Sequence, residues 1–180
     1  MNHTRYNNYG RPKLDQNNIM TNERLLFLIR KNQGRLNMPC YIEELNKLVH
    51  DNDYKIIGLE ESDRIMGKIK ENSRKYSNIK QVYTELPFND RSILKTIVRN
   101  VANDGKCFMS IGYSEMCGIS ELNDINHFNV DFRFEDEHTG TIILYSYDLD
   151  NELLIDFYEE YSEYYMDIEL YGYRWNQFML

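Results

Sequence analysis

The sequence predicts an α+β fold: a helical N-terminal half, then an antiparallel sheet with one packed C-terminal helix. Two observations lead there. Apolar residues recur at three- and four-residue spacing up to Val101, and from Cys107 they begin to alternate. The helical segments also come as a run ahead of the strands rather than alternating with them, which disfavours a parallel, doubly wound sheet. With 42% apolar and 13% aromatic residues, and only three prolines and nine glycines, the 180-residue chain suits one folded domain of mostly regular structure. The expected organisation is a flexible, Asn-rich arm over 1–19 and a single domain over 20–180. Its helical part covers about 20–104 and its strand-rich part about 105–180, and Met20 offers a second possible start.

Each element follows from local signals. Thr21 is a good N-cap for a helix over about 22–32, with Arg30 and Lys31 in its last turn and Gly34 where a C-terminal glycine belongs. Pro39 opens a second helix, on which Ile42, Leu45, Leu48 and Val49 form one stripe until Asp51-Asn52-Asp53 stops it. Tyr54 to Ile57 is a short strand or connector. Ser62 caps a third helix through Ile65, Met66 and Ile69, ending near Ser73. Ile79 to Leu86 fits helix or strand. Asn89 or Asp90 caps a fourth helix bearing Ile93, Leu94, Ile97, Val98 and Val101, ended by Asn103-Asp104-Gly105.

Cys107 to Tyr113 reads as a strand. Phe128 to Phe134 alternates apolar and polar without a break, and Thr141 to Tyr147 is apolar and β-branched. With the loop Glu135 to Gly140 between them, these two runs predict a hairpin. Asp148 or Asp150 then caps a helix in which Leu154, Phe157, Tyr158, Tyr161 and Tyr165 share a face. Met166 to Tyr171 alternates again as a final strand.

Several function classes find no support. No apolar run approaches the ~20 residues of a membrane helix, so no membrane association is expected. The first ten residues lack a signal-peptide core, and the three cysteines (Cys40, Cys107, Cys117) suit buried thiols of a cytoplasmic protein. No Gly-rich phosphate loop, zinc spacing or paired histidine motif occurs, so no cofactor, no metal and no enzyme activity are expected. The loop Glu135, Asp136, Glu137, His138 carries ligand types for a hard divalent ion or an acid–base pair, as a small metal-dependent hydrolase or nuclease would need. Solvated loop charge is the commoner use of such a cluster. The bases of the helical half (Lys68, Lys70, Arg74, Lys75, Lys80, Arg91, Lys95 and Arg99) are interleaved with Glu60, Glu61, Asp63 and Glu71 and read as a solvated face.

The charge is split sharply. Residues 131–180 hold thirteen carboxylates against Arg133 and Arg174, a net of −11, while the rest of the chain is +3. The same segment holds eight of the fifteen tyrosines and the single tryptophan, Trp175. Direct nucleic-acid binding by this half is disfavoured, because carboxylates repel phosphate. On the predicted helix, Glu152, Asp156, Glu159, Glu160 and Glu163 lie opposite the apolar stripe. Like charges at i,i+4 cost a few tenths of a kcal/mol each. The tyrosines cover too many azimuths for all to be buried. Aromatic anchors ringed by carboxylates fit a surface that meets a basic partner. The partner-facing candidates are Asp156, Tyr158, Glu159, Glu160, Tyr161, Glu163, Tyr164, Tyr165, Asp167, Glu169 and Tyr171.

In size, α+β pattern and the acid/tyrosine tail from Tyr145 to Trp175, the chain resembles immunity proteins of bacterial toxin–immunity pairs, including those of contact-dependent growth inhibition. These share no signature motif, so the resemblance carries no residue over by position. It implies a cytoplasmic antitoxin, monomeric or weakly dimeric, that binds one cognate basic toxin domain, such as a nuclease, and blocks its action. The same surface would also suit a phage or mobile-element protein that mimics nucleic acid against a host defence nuclease.

Overall fold

The structure is a computed structural model and describes residues 16–76 and 80–176. Most of the predicted arm therefore lies outside the described residues, whereas 16–19 belong to a helix. The elements run α1 (Gln16–Leu48), β1 (Tyr54–Ile56), α2 (Leu59–Tyr76), β2 (Lys80–Pro87), α3 (Ser92–Val101), β3 (Cys107–Ser110), α4 (Ser114–Cys117), β4 (Ser120–Leu122), β5 (Thr141–Ser146), β6 (Glu152–Glu160), β7 (Glu163–Tyr171) and α5 (Tyr173–Asn176). The α+β class and its order, helices first and sheet after, are as the sequence predicts. The seven strands form one sheet in the order β1-β4-β3-β5-β6-β7-β2, with every pair antiparallel.

Strand alternation divides the sheet into two faces. The inner face presents Met109, Ile142, Leu144, Leu153, Ile155, Phe157, Met166, Ile168 and Leu170 to a core shared with α1 (Tyr41, Leu45, Leu48), α3 (Leu94, Ile97, Val98, Val101) and Trp175 of α5. The outer face is covered at one end by α2, whose Ile65 and Ile69 meet Phe108, Ile119 and Tyr145. A bulge between Tyr83 and Leu86, with Glu85 at φ 55°, and Pro87 interrupt β2 at the sheet edge. Both features discourage another chain from pairing there.

Four local expectations are corrected. The break expected at Gly34 and Pro39 is absent, and α1 runs through both. Gly34 is not a terminal glycine: a Cβ there would lie 2.1 Å from the Met116 carbonyl oxygen, so its job is to let α4 lie against α1. Packing on both sides of Pro39, by α4 at Gly34 and the core at Tyr41 and Leu45, offsets the lost backbone hydrogen bond.

Second, Phe128 to Phe134 is not a strand. The Asn129 N–H donates to the Leu48 carbonyl and its side-chain amide to the Lys47 carbonyl, while the Asp131 N–H donates back to Asn129 Oδ1. The Asn side chain thus draws the segment into a turn against the end of α1, and Phe128 and Phe132 are buried from irregular backbone. The hairpin expected between this run and Thr141 to Tyr147 does not form, and β5 pairs with β3 and β6 instead.

Third, the helix expected after Asp148 or Asp150 is a hairpin of β6 and β7. Among the described residues, the helix that follows it is the short α5. Fourth, Arg91 is not on a solvated face. It is 8% exposed, with its guanidinium 3.8 Å from the Phe88 ring centre and 4.4 Å from that of Phe132. Burial lowers its pKa to about 10. Of the ambiguous run Ile79 to Leu86, the described residues from Lys80 onward resolve as β2. Cys107 and Cys117 are buried as expected, but Cys40 is exposed.

Candidate partner-binding face

The β6–β7 hairpin organises the acidic segment. Glu160 faces Glu163 across a two-residue turn, Tyr161-Ser162, with φ of 52° and 66°. Two left-handed residues are what a type I′ turn needs, and this turn matches the twist of the strands. The register then fixes which side chains share a face. Leu153, Ile155 and Phe157 of β6 and Met166, Ile168 and Leu170 of β7 point inward and are buried. The intervening residues point outward.

Outward positions of β5, β6 and β7 form rows across the sheet. One row is Tyr145, Glu152 and Tyr171, and the next is Ile143, Leu154 and Glu169. Thr141, Asp156 and Asp167 follow, then Tyr158 with Tyr165, then Glu160 with Glu163. Six of these thirteen positions are carboxylates, four are tyrosines and none is basic. Eight of the eleven predicted partner-facing residues therefore meet on one face: Asp156, Tyr158, Glu160, Glu163, Tyr165, Asp167, Glu169 and Tyr171. The other three do not. Glu159 and Tyr164 oppose each other on the inner side, beyond the end of the core, and Tyr161 caps the turn at 92% exposure.

The face is internally wired. Asp167 Oδ1 accepts the Glu85 N–H at 2.7 Å and the Tyr158 hydroxyl at 3.4 Å. Thr141 donates to Asp156 at 3.1 Å, Tyr165 to Glu163 at 2.7 Å, and Tyr171 to Glu169. The Tyr158 and Tyr165 rings stack at 6.0 Å. The Tyr165 hydroxyl titrates above its ordinary range, chiefly because it donates to Glu163. Desolvation does the same to Tyr158, helped by Asp167. The Glu152 carboxyl is raised by burial and then by the charge of Glu169.

Two aromatic candidates leave the surface. Tyr145 is covered by α2 at 4% exposure. Trp175 is fully buried, its indole N–H donating to Asp104 and its backbone N–H to Asn151 Oδ1. It anchors the core and cannot anchor a partner.

The second predicted cluster, Glu135 to His138, is not the solvated loop that its composition suggests. Only Glu135 and His138 are exposed. Asp136 is buried and accepts the Arg133 N–H at 2.7 Å. Glu137, 2% exposed, accepts four hydrogen bonds: from Gly112 N–H, from Thr139 N–H and Oγ1–H, and from Thr141 N–H. His138 stacks on Tyr113 at 4.1 Å, and its Nδ1 lies 2.8 Å from Oε1 of Glu44, a residue of α1 that sequence reasoning did not connect to this loop. Burial raises the pKa of Glu44, against the opposing pull of His138. No pattern in the sequence brings Glu44 and His138 together, because they are 94 positions apart.

Among the described residues, no helix is long and apolar enough to cross a membrane. No model of a known protein family, no curated protein and no solved structure matches the chain.

Proposed function

We propose that this protein is an inhibitor of a basic protein, in the manner of an immunity protein that neutralises one cognate toxin domain, and that it binds through the outer face of β5, β6 and β7. The observation that carries this reading is the register of the hairpin, which gathers six carboxylates and three tyrosines (Tyr158, Tyr165 and Tyr171) on one side of a sheet with no lysine or arginine among them. Carboxylates of one sign steer a cationic partner and speed its association. Half-buried tyrosines between them supply contact area at low entropic cost. A nuclease domain is a natural target, since its site must be cationic to hold phosphate. The protein acts by binding and performs no chemistry in this role.

The test has two stages. The tagged chain is used to capture partners from its host, and the partner is then titrated against the wild type and the triple variant D156K/E160K/E163K. These three side chains are exposed, so the fold should survive. The expected result is a 1:1 complex with a basic protein, whose association slows by at least tenfold in the variant and loses its salt dependence. Equal association rates for the two proteins would reject the face. A captured defence nuclease in place of a toxin domain would assign the same face to nucleic-acid mimicry.

A further inference from the structure

We propose that Glu44, Glu137 and His138 form a binding site for a divalent transition-metal ion, of which zinc is the best match. The site is separate from the acidic sheet face and does not depend on its role.

The cluster is assembled from three parts of the chain. Glu44 comes from the last turns of α1. Glu137 and His138 come from the loop before β5, and Gly112 from the segment after β3 closes it from behind. One donor atom from each of Glu44, Glu137 and His138 lies within 4.8 Å of the others. His138 Nδ1 is 2.8 Å from Glu44 Oε1 and 3.6 Å from Glu137 Oε1. Ligands about 2.1 Å from a tetrahedral ion sit about 3.4 Å from one another. The first separation is shorter and the second slightly longer than that value, so an ion requires the Glu44–His138 pair to open by about half an ångström.

A second observation points to a ligand independently. Glu44 is only 9% exposed, and its Oε2 is buried with no hydrogen-bond partner. An unpaired buried carboxylate oxygen is destabilising, because it has given up water and gained no donor. Its sister oxygen is on His138, so the orphan belongs to the same cluster, and a cation there would satisfy it.

The surroundings are those of a built site. Four donors fix Glu137, two on each oxygen, and an ion at Oε1 would take the place of the Thr139 hydroxyl, which is free to rotate away, while the three backbone N–H groups hold the carboxylate as outer-shell hydrogen bonds do. The Tyr113 ring holds the imidazole plane. A Cβ on Gly112 would lie 2.8 Å from Glu137 Oε1, 2.7 Å from His138 Cε1 and 2.3 Å from Thr139 Cγ2, so only glycine lets the loop close over the cluster.

The donor set selects the ion. One imidazole nitrogen with two carboxylates suits zinc and its neighbours, whereas magnesium and calcium favour all-oxygen shells of higher number. His138 is 42% exposed at its side chain, which leaves room for water or a partner's donor in the remaining position.

The experiment is titration of the full chain with zinc in chelator-free buffer, with cobalt absorption as a readout of coordination and far-UV circular dichroism as a check on folding. The expected result is one equivalent bound, a cobalt spectrum of low coordination number, and a melting temperature raised by several degrees by zinc but not by magnesium. Glu44→Gln should weaken zinc at least tenfold. His138→Gln should abolish the cobalt spectrum, and Cys40→Ser should change neither. No binding tighter than millimolar in the wild type would overturn the site. So would undiminished binding in both Glu44→Gln and His138→Gln, or loss of binding in Cys40→Ser alone, which would put the ion on the exposed thiol.

Discussion

Asp156 sits directly opposite Asp167 on neighbouring strands, and replacing it by asparagine should make the fold more stable. The pair shares an outward row with Thr141, and no base stands at any outward position of β5 to β7. Opposed Cβ atoms in such a pair are about 5 Å apart. Two unit charges at that distance repel by roughly 0.8 kcal/mol in water and about 3 kcal/mol at an effective dielectric of 20. The pair faces solvent, and physiological salt screens over about 8 Å, so the lower figure is the better guide. Asparagine keeps the oxygen that accepts from Thr141, so little is lost in exchange. The expected gain is about 0.5 kcal/mol, or 1–2 °C in melting temperature for a chain of this size. Urea unfolding at low and high salt measures it, and the slope should not change. Salt should stabilise the wild type more than Asp156→Asn and close the gap between them. A variant less stable than wild type at low salt, or a gap indifferent to salt, would show that the two carboxylates are not in effective repulsion.

Two further outcomes follow from burial. Glu152 has its folded pKa above the ordinary 4.5, because burial and Glu169 disfavour its charge. A raised carboxyl binds its proton more tightly in the folded state, so stability is highest at low pH and falls as pH rises through the folded value. Glu152→Gln should therefore exceed the wild type in urea midpoint at pH 7, with the advantage vanishing below about pH 4.5. A pH-independent difference would count against this. Phe157, 3% exposed, contacts the rings of Phe88, Phe132 and Phe134 at 5.3–5.6 Å. Phe157→Ala should cost about 3–5 kcal/mol in equilibrium unfolding, and a loss under 1 kcal/mol would mean that the aromatic cluster collapses around the gap.

What the sequence conceals here has identifiable causes. The helices around Ile65 and Ile97 are legible because each has one buried face and thus one clean period, and the strands at Met109 and Ile143 are legible as short apolar runs, since core and α2 cover both of their faces. The β6–β7 hairpin is not. Its inner positions Leu153, Ile155 and Phe157 keep period 2, but Leu154 and Tyr158 are bulky on the outer face. The set Leu154, Phe157, Tyr158, Tyr161 and Tyr165 then imitates helical spacing. The turn adds no warning, since Tyr161 and Ser162 take left-handed conformations without a glycine or asparagine. The acid/tyrosine composition survives this error, and it is the register of the hairpin that gathers eight of the eleven candidates, moving Tyr158 and Tyr165 to the side that carries the carboxylates. Glu44 was beyond reach for another reason: its role depends on a loop far along the chain, and on Gly112, which the sequence shows only as one scattered glycine.

The change from helix to hairpin alters what a partner would meet. A helix would put Asp156, Glu159, Glu160 and Glu163 on one side, opposite its apolar stripe, with only packing to hold the side chains in place. The sheet sets its carboxylates on a grid about 4.8 Å across strands and about 7 Å along them. Tyrosine and threonine hydroxyls and the Glu85 N–H already restrain Asp156, Glu163, Asp167 and Glu169. Side chains fixed before binding lose less entropy on binding. A grid of fixed negative charge also costs stability through rows such as Asp156 with Asp167 and Glu160 with Glu163, and natural sequences ordinarily relieve such rows with lysine. Carboxylates stand in four of the five rows with no base at any outward position of the hairpin, and under the function proposed above a basic partner would supply the missing charge. The stability gained by Asp156→Asn and the association rate lost by D156K/E160K/E163K should therefore appear in the same face of the same sheet. If the first appears without the second, the repulsion is real but has no partner to relieve it.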